Sequence, residues 1–180
     1  MKVKDILPYA IKGDFIRNMR DSLKTESAMG DMPIDRINAK AQAAKGLVDH
    51  TGDWSIFGQI MRKMKEKKLK PLKQNSSQNH CWKTCFVHEG GYDIGGLFRE
   101  ALFEFSNELM SSALPLIVKT PNNKNDCGEN REKWILNPGA NSPSHMEMFE
   151  FLGVMIGMSI RADHLLNIEI ARGFWKNLLE

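Results

Sequence analysis

Apolar residues along the chain fall mostly at helical spacing, broken by a few short aromatic and β-branched runs. The clearest unit covers residues 82–110. Residues 82–88 (WKTCFVH) read as a strand. In residues 97–110, Leu97, Phe98, Ala101, Leu102, Phe105 and Leu109 share one helical face. The turn between them, residues 90–96 (GGYDIGG), holds four glycines and one carboxylate, Asp93.

The flanking segments follow the same two patterns. Phe15, Ile16, Met19 and Leu23 predict a lead-in helix within residues 1–24, with Lys12, Arg17, Arg20 and Lys24 outside. The stripe is short and carries Asp14 and Asp21, so it suits a protein surface better than a membrane. Residues 25–33, with Gly30 and Pro33, read as a linker. Residues 39–47 form an alanine-rich helical segment suited to close packing. Trp54, Phe57, Ile60, Met61 and Met64 share a helical face, with Asp53 or Ser55 as its cap. Residues 74–79 are a polar loop. Residues 115–119 and 134–136 read as short strands around a polar, asparagine-rich loop at 121–130. Ser142 or Ser144 caps a helix over residues 146–160, which is apolar nearly all round and predicted to be buried. Gly153 and Gly157 would permit close helix contact within it. A last helix is predicted over 168–179. The fold class is α+β, mainly helical with a few short strands.

Composition narrows the function classes. The 180 residues suffice for one domain or part of a larger one, and the net charge of +3 does not by itself indicate nucleic acid. Six lysines from Lys63 to Lys73, preceded by Arg62, lack interleaved aromatics and read as a solvated helix end. Three cysteines do not make a disulfide framework, which points to a reduced, cytoplasmic protein. No apolar run is long enough to span a membrane, and the start has no signal-peptide layout.

The glycine turn is the first candidate for chemistry. A phosphate loop needs a lysine and a hydroxyl after its last glycine, but Gly96 is followed by Leu97 and Phe98. Asp93 stands where an anion would bind, so it is expected to cap the helix amides itself. Gly95 and Gly96 then supply backbone freedom, while Arg99 and Glu100 open the helix with charge. His80, Cys81, Cys85 and His88 resemble a zinc set in type only. On one strand face, Cys81 and Cys85 would lie about 13 Å apart at about 3.3 Å per residue. Cys127 lies between Asp126 and Glu129, which oppose its thiolate. The remaining histidines, His50, His145 and His164, have neither metal-ligand spacing nor a nucleophile motif beside them. No catalytic residue, metal ligand or cofactor site is assigned.

Several segments in order resemble one family. Residues 93–109 (DIGGLFREALFEFSNEL) resemble the D-x-GG-x-x-R-E strand-turn-helix of HECT-type ubiquitin ligases. Asn137-Pro138 and residues 149–161 (FEFLGVMIGMSIR) resemble that family's N-P and F-x-F-x-G-x-x-x-G segments, with Ser159 replacing the usual alanine. Residues 171–179 resemble the helix that follows, and INAKAQAAKG and SIFGQIMRKM resemble the entry to the same lobe. Residues 120–138 look most like the HERC-type branch.

The resemblance implies a lead-in over residues 1–31 and the first part of a HECT N-lobe over 32–180. It implies a structural role for Asp93, Gly95, Gly96, Arg99, Glu100, Asn137 and Pro138. In this family ubiquitin passes from an E2 to a ligase cysteine as a thioester, then to a substrate lysine. The resemblance places that cysteine and the E2-binding subdomain beyond Glu180, and none of Cys81, Cys85 and Cys127 has a matching context. This segment is therefore expected to be scaffold and inactive alone. Its partners through the intact domain are an E2, ubiquitin and protein substrates. Near Trp134 the resemblance implies a ubiquitin-contact surface, beside the simpler reading of a buried strand tryptophan. A second reading is a non-catalytic interaction module derived from a HECT half-lobe. A gene continuing past Glu180 into a cysteine-bearing lobe would separate the two.

Overall fold

A computed structural model describes residues 8–22, 30–66, 80–91 and 93–179. The lysine run past Glu66, the polar loop at 74–79, and Leu23, Lys24 and Tyr92 lie outside them. The described elements are α1 (Tyr9–Ser22), β1 (Asp31–Ile34), α2 (Arg36–Ala44), α3 (Ile56–Glu66), β2 (Lys83–Phe86), α4 (Gly96–Leu109), β3 (Ile117–Lys119), α5 (Pro121–Asn125), β4 (Trp134–Leu136), α6 (Pro143–Ala162) and α7 (Arg172–Leu179). The fold is mainly helical α+β. Two small sheets flank the helices: β1 with β2 in parallel, and β3 with β4 antiparallel.

The core sits where α3, α4 and α6 meet. Phe57 of α3 stacks on Phe105 of α4 with ring centroids 5.1 Å apart, and Phe151 of α6 meets Phe57 edge-on at 5.1 Å. These offset and edge-on geometries suit the ring quadrupoles. Trp82, fully buried, meets Phe98 edge-on at 4.8 Å and ties the β2 side to α4. Ser159, buried in α6, turns its hydroxyl back to the Ile156 carbonyl at 2.8 Å. A hydroxyl is thus accommodated at a packed position without a buried, unmet donor.

Several expectations change. The linker reading fails at residues 31–33, because β1 begins at Asp31 and pairs with β2. Pro33 is tolerated because a proline needs only an unpaired edge position. The loop at 121–130 contains α5, capped by the Thr120 hydroxyl with Pro121 in its first turn. The final helix starts at Arg172, since Ile170 is held as an extended bridge to Trp134. Of the alanine-rich helix, Ala39 alone is buried. The helix at 146–160 is not buried all round: Met146 and Ile160 are half exposed, and a side chain added at Gly153 or Gly157 would meet nothing. The α1 stripe is likewise uncovered among the described residues, with Phe15 69% exposed.

Candidate functional site

Asp93 joins the β2 side to α4. Its Oδ1 accepts from the Gly95 N–H at 2.7 Å and the Phe98 N–H at 3.3 Å, capping α4. Its Oδ2 accepts from the Thr84 N–H of β2 at 2.7 Å. One carboxylate thus serves a helix start and a strand edge, and it fills the position an anion would take. Gly95 has φ 108°, and a Cβ there would lie 2.5 Å from the His80 ring. Gly96, by contrast, has open space around it, so the constraint belongs to Gly95. Burial and the Arg99 charge hold His80 below its ordinary value, against the opposing pull of Asp93. Arg99 itself is exposed.

Glu100 belongs to an ionic cluster centred on Arg36. The guanidinium donates to Glu89 and Glu100, lies 3.9 Å from Glu104 and sits 4.0 Å over the Phe86 ring. Bonds to Glu89 and Glu100 raise the Arg36 pKa further. The cluster fastens the start of α2 to the turn after β2 and to α4.

A second hub escaped the sequence reading. Asp49, buried, accepts four backbone amides: Gly52 and Asp53 at 2.8 Å, Trp54 at 3.1 Å and Ser55 at 2.8 Å. Burial opposes its charge, but the Ser55, Asp53 and Trp54 donors outweigh it and hold the carboxyl below its ordinary value. Glu108 of α4 reaches across to the Ile56 and Phe57 amides at 3.0 and 2.8 Å, capping α3 from another helix. Burial pushes Glu108 up to about 7, although those amides favour its charge. Ser55 caps α3 from within, its hydroxyl accepting from the Gly58 amide at 3.0 Å. Gly58 has no room for a side chain, since a Cβ would overlap the Gly52 carbonyl. An acid three residues before a glycine is a turn signal, but Glu108 has no local signature.

Trp134 borders a groove of about 760 Å³. Its walls include Val48, His50, Met110, Ile117, Lys119 and Trp134. Trp134 is half-buried, not fully buried. Its backbone is fixed on one side by Glu169 at 2.7 Å and Ala171 at 2.8 Å. Lys119 Nζ lies 5.9 Å from its ring centroid. Asn137, also lining the groove, ties the open end of the β3–β4 ribbon. Its amide donates to the Pro115 carbonyl at 2.7 Å, its backbone N–H to Leu116 at 2.9 Å, and its Oδ1 accepts from Gly139 at 3.0 Å. Pro138 follows at the surface. His50 and His145 approach each other at 3.3 Å behind this wall. The structure does not bring Asp93 and Trp134 into one site.

The cysteines also differ from expectation. Cys81 is buried, whereas Cys85 and Cys127 are exposed, so Cys81 and Cys85 do not share a face. Burial pushes the Cys81 thiol up to about 11. No group of three metal-ligating side chains occurs among the described residues, and no helix there is long and apolar enough to cross a membrane.

Comparisons with known proteins agree with the segments described above. The profile of the HECT domain (ubiquitin-transferase) matches residues 103–180, from the middle of α4 through α7. E3 ubiquitin-protein ligase HERC2 of Mus musculus is 36% identical over 146 residues, which is 81% of this chain and 3% of that protein. Its Homo sapiens counterpart is 36% identical over 150 residues, with the same coverage. E3 ubiquitin-protein ligase HUWE1 of Mus musculus is 23% identical over 173 residues, 96% of this chain and 4% of that protein. The chain belongs to the HECT family of ubiquitin ligases. Within that family it is related to the HERC-type branch, and it spans 3% of the length of the HERC2 proteins.

Proposed function

We propose that residues 32–180 are the first part of a HECT N-lobe, preceded by a lead-in over 1–31, and that they act as scaffold in ubiquitin transfer. In this reading the intact ligase takes ubiquitin from an E2 as a cysteine thioester and passes it to a substrate lysine amine. The observation that carries the proposal is the HECT match over residues 103–180, which holds Phe105 of α4 and Phe151 of α6, the partners of Phe57 of α3 in the aromatic core. Asp93, Gly95, Glu100 and Asn137 hold corners of that scaffold, and Gly96, Arg99 and Pro138 accompany them in the motifs. The partners are proteins, an E2, ubiquitin and substrates, met in the cytoplasm. Trp134, half-buried beside an open groove, is the proposed ubiquitin-contact residue.

Two measurements test this. Incubated with E1, E2, ATP and ubiquitin, the chain is expected to form no reductant-sensitive ubiquitin adduct. An adduct on Cys85 or Cys127 would make this segment catalytic and overturn the scaffold role. Titration with ubiquitin is expected to move the Trp134 indole resonance, and Trp134→Ala to abolish binding. Ubiquitin shifts elsewhere that survive Trp134→Ala remove the contact assignment.

A further inference from the structure

We infer that His50 is the polar determinant of the Trp134 groove: a histidine fixed as a hydrogen-bond donor and set to receive a carbonyl oxygen of ubiquitin. The inference rests on the ubiquitin contact proposed for Trp134 and adds to it a second residue and a chemical preference. His50 and Trp134 line the same groove of about 760 Å³. His50 is exposed, whereas His145 of α6 is only 9% exposed. His50 Nδ1 lies 3.3 Å from His145 Nε2, and the ring centroids are 5.6 Å apart, so the two nitrogens point at one another. One of them donates and the other accepts.

Burial decides which. His145 Nδ1 is buried and has no hydrogen-bond partner among the described residues. A hydrogen on it would be a buried donor with no acceptor, which folded proteins avoid more strictly than an unmet acceptor. His145 therefore carries its hydrogen on Nε2 and donates to His50 Nδ1. With Nδ1 accepting, His50 carries its own hydrogen on Nε2, the nitrogen turned away from His145. Both rings hang from anchored backbone. His145 donates its N–H to the Ser142 hydroxyl at 3.2 Å in the first turn of α6. His50 follows directly on Asp49, whose carboxylate holds the Gly52 and Ser55 amides. His145 is thus a positioning residue, and His50 is what the groove presents.

Other polar side chains in the walls are committed. Asn137 gives its amide to the Pro115 carbonyl and its oxygen to the Gly139 N–H. Ser111 donates to the Glu108 carbonyl at 2.7 Å and accepts from the Ala113 N–H at 3.0 Å. Among the described residues, no aspartate or glutamate lines the groove and no hydrogen bond uses His50 Nε2. An incoming carbonyl oxygen meets this N–H without displacing an internal bond, whereas an incoming donor meets a donor.

Long-range proton–nitrogen NMR on the full chain in alkaline buffer reads each imidazole tautomer. His50 and His145 are both expected to carry the hydrogen on Nε2; a hydrogen on His50 Nδ1 overturns the inference. Ubiquitin is then titrated into the parent, into His50→Gln, which keeps a side-chain N–H, and into His50→Met, similar in size without one. His50→Met is expected to weaken ubiquitin about fivefold and His50→Gln by less than about twofold. The position is exposed, so both variants are expected to keep the fold. His145→Phe keeps a buried ring but removes the donor, so His50 is expected to populate both tautomers and ubiquitin to bind about threefold more weakly. Parent-like affinity for His50→Met, or equal losses for Met and Gln, overturns the donor role whether or not His145→Phe folds. Binding lost in Trp134→Ala but unchanged in His50→Met sinks this inference and leaves the Trp134 contact standing. Ubiquitin that does not bind, or binds away from Trp134, removes the contact and the His50 role with it.

Discussion

Replacing Asp93 by alanine removes one side chain from two elements, and its cost can be worked from the bonds. The α4 cap rests on Gly95 at 2.7 Å and Phe98 at 3.3 Å, and losing such a cap costs about 1 kcal/mol. The Thr84 N–H loses its acceptor inside a residue that is 3% exposed. An orphaned buried donor adds about 1–3 kcal/mol. The expected loss is about 3 kcal/mol in all. Asp93→Asn keeps one oxygen for the cap and turns its amide toward Thr84, so it should lose less, about 2 kcal/mol. Urea unfolding of the full chain, followed by circular dichroism, measures both. Asp53→Ala, at an exposed ion pair with Arg62, is the control and should stay within about 0.5 kcal/mol. A loss below about 1 kcal/mol for Asp93→Ala would refute the double role, because the cap alone accounts for that much.

Neighbouring glycines should respond oppositely. Gly95→Ala forces a side chain onto His80 at positive φ and should cost more than about 2 kcal/mol. Gly96→Ala should leave the unfolding midpoint unchanged or slightly raised; equal losses at the two positions would contradict the geometry. Gly58→Ala should separate α3 from the loop at Gly52, visible as a large fall in melting temperature, and a parent-like melt would show that the loop adapts. Glu108 sets a pH dependence. Folding raises its value from 4.5 to about 7, so the stability it contributes is complete below 4.5 and lost as pH rises through about 7. Glu108→Gln should flatten that fall, worth at most about 3 kcal/mol, in urea midpoints between about pH 5 and pH 8; parallel curves for variant and parent would exclude it.

Local patterns made part of this molecule legible. Spacing alone marks Leu97, Phe98, Ala101, Leu102, Phe105 and Leu109 as one face, and all but the half-buried Leu97 are buried on α4. Trp82 and Phe86 signalled the β2 region by type. β1 was hidden because Gly30 and Pro33 resemble a break, while its strand state depends on a partner distant in sequence. Asp49 and Glu108 were missed for a related reason. Their roles are set by amides that tertiary packing brings to them, and no periodicity encodes that. Trp134 lay in between: its strand was legible, but its half-exposure depends on the walls contributed by Val48 and Met110.

The Arg36 cluster has a kinetic consequence. Arg36 and Glu89 are separated by 53 residues in sequence, and the parallel β1–β2 pairing closes a comparable loop. Closing a long loop costs entropy before any contact compensates it. The bonds from the Asp49 carboxylate to the amides of residues 52–55 join near neighbours, so that turn should assemble first, with α4 docking on it through Glu108. Contacts made after the folding barrier govern how fast the native state opens, not how fast it forms. Arg36→Ala should therefore speed unfolding while leaving the refolding rate almost unchanged. In the cell, such a clasp would set how long the lobe survives rather than how readily it is made.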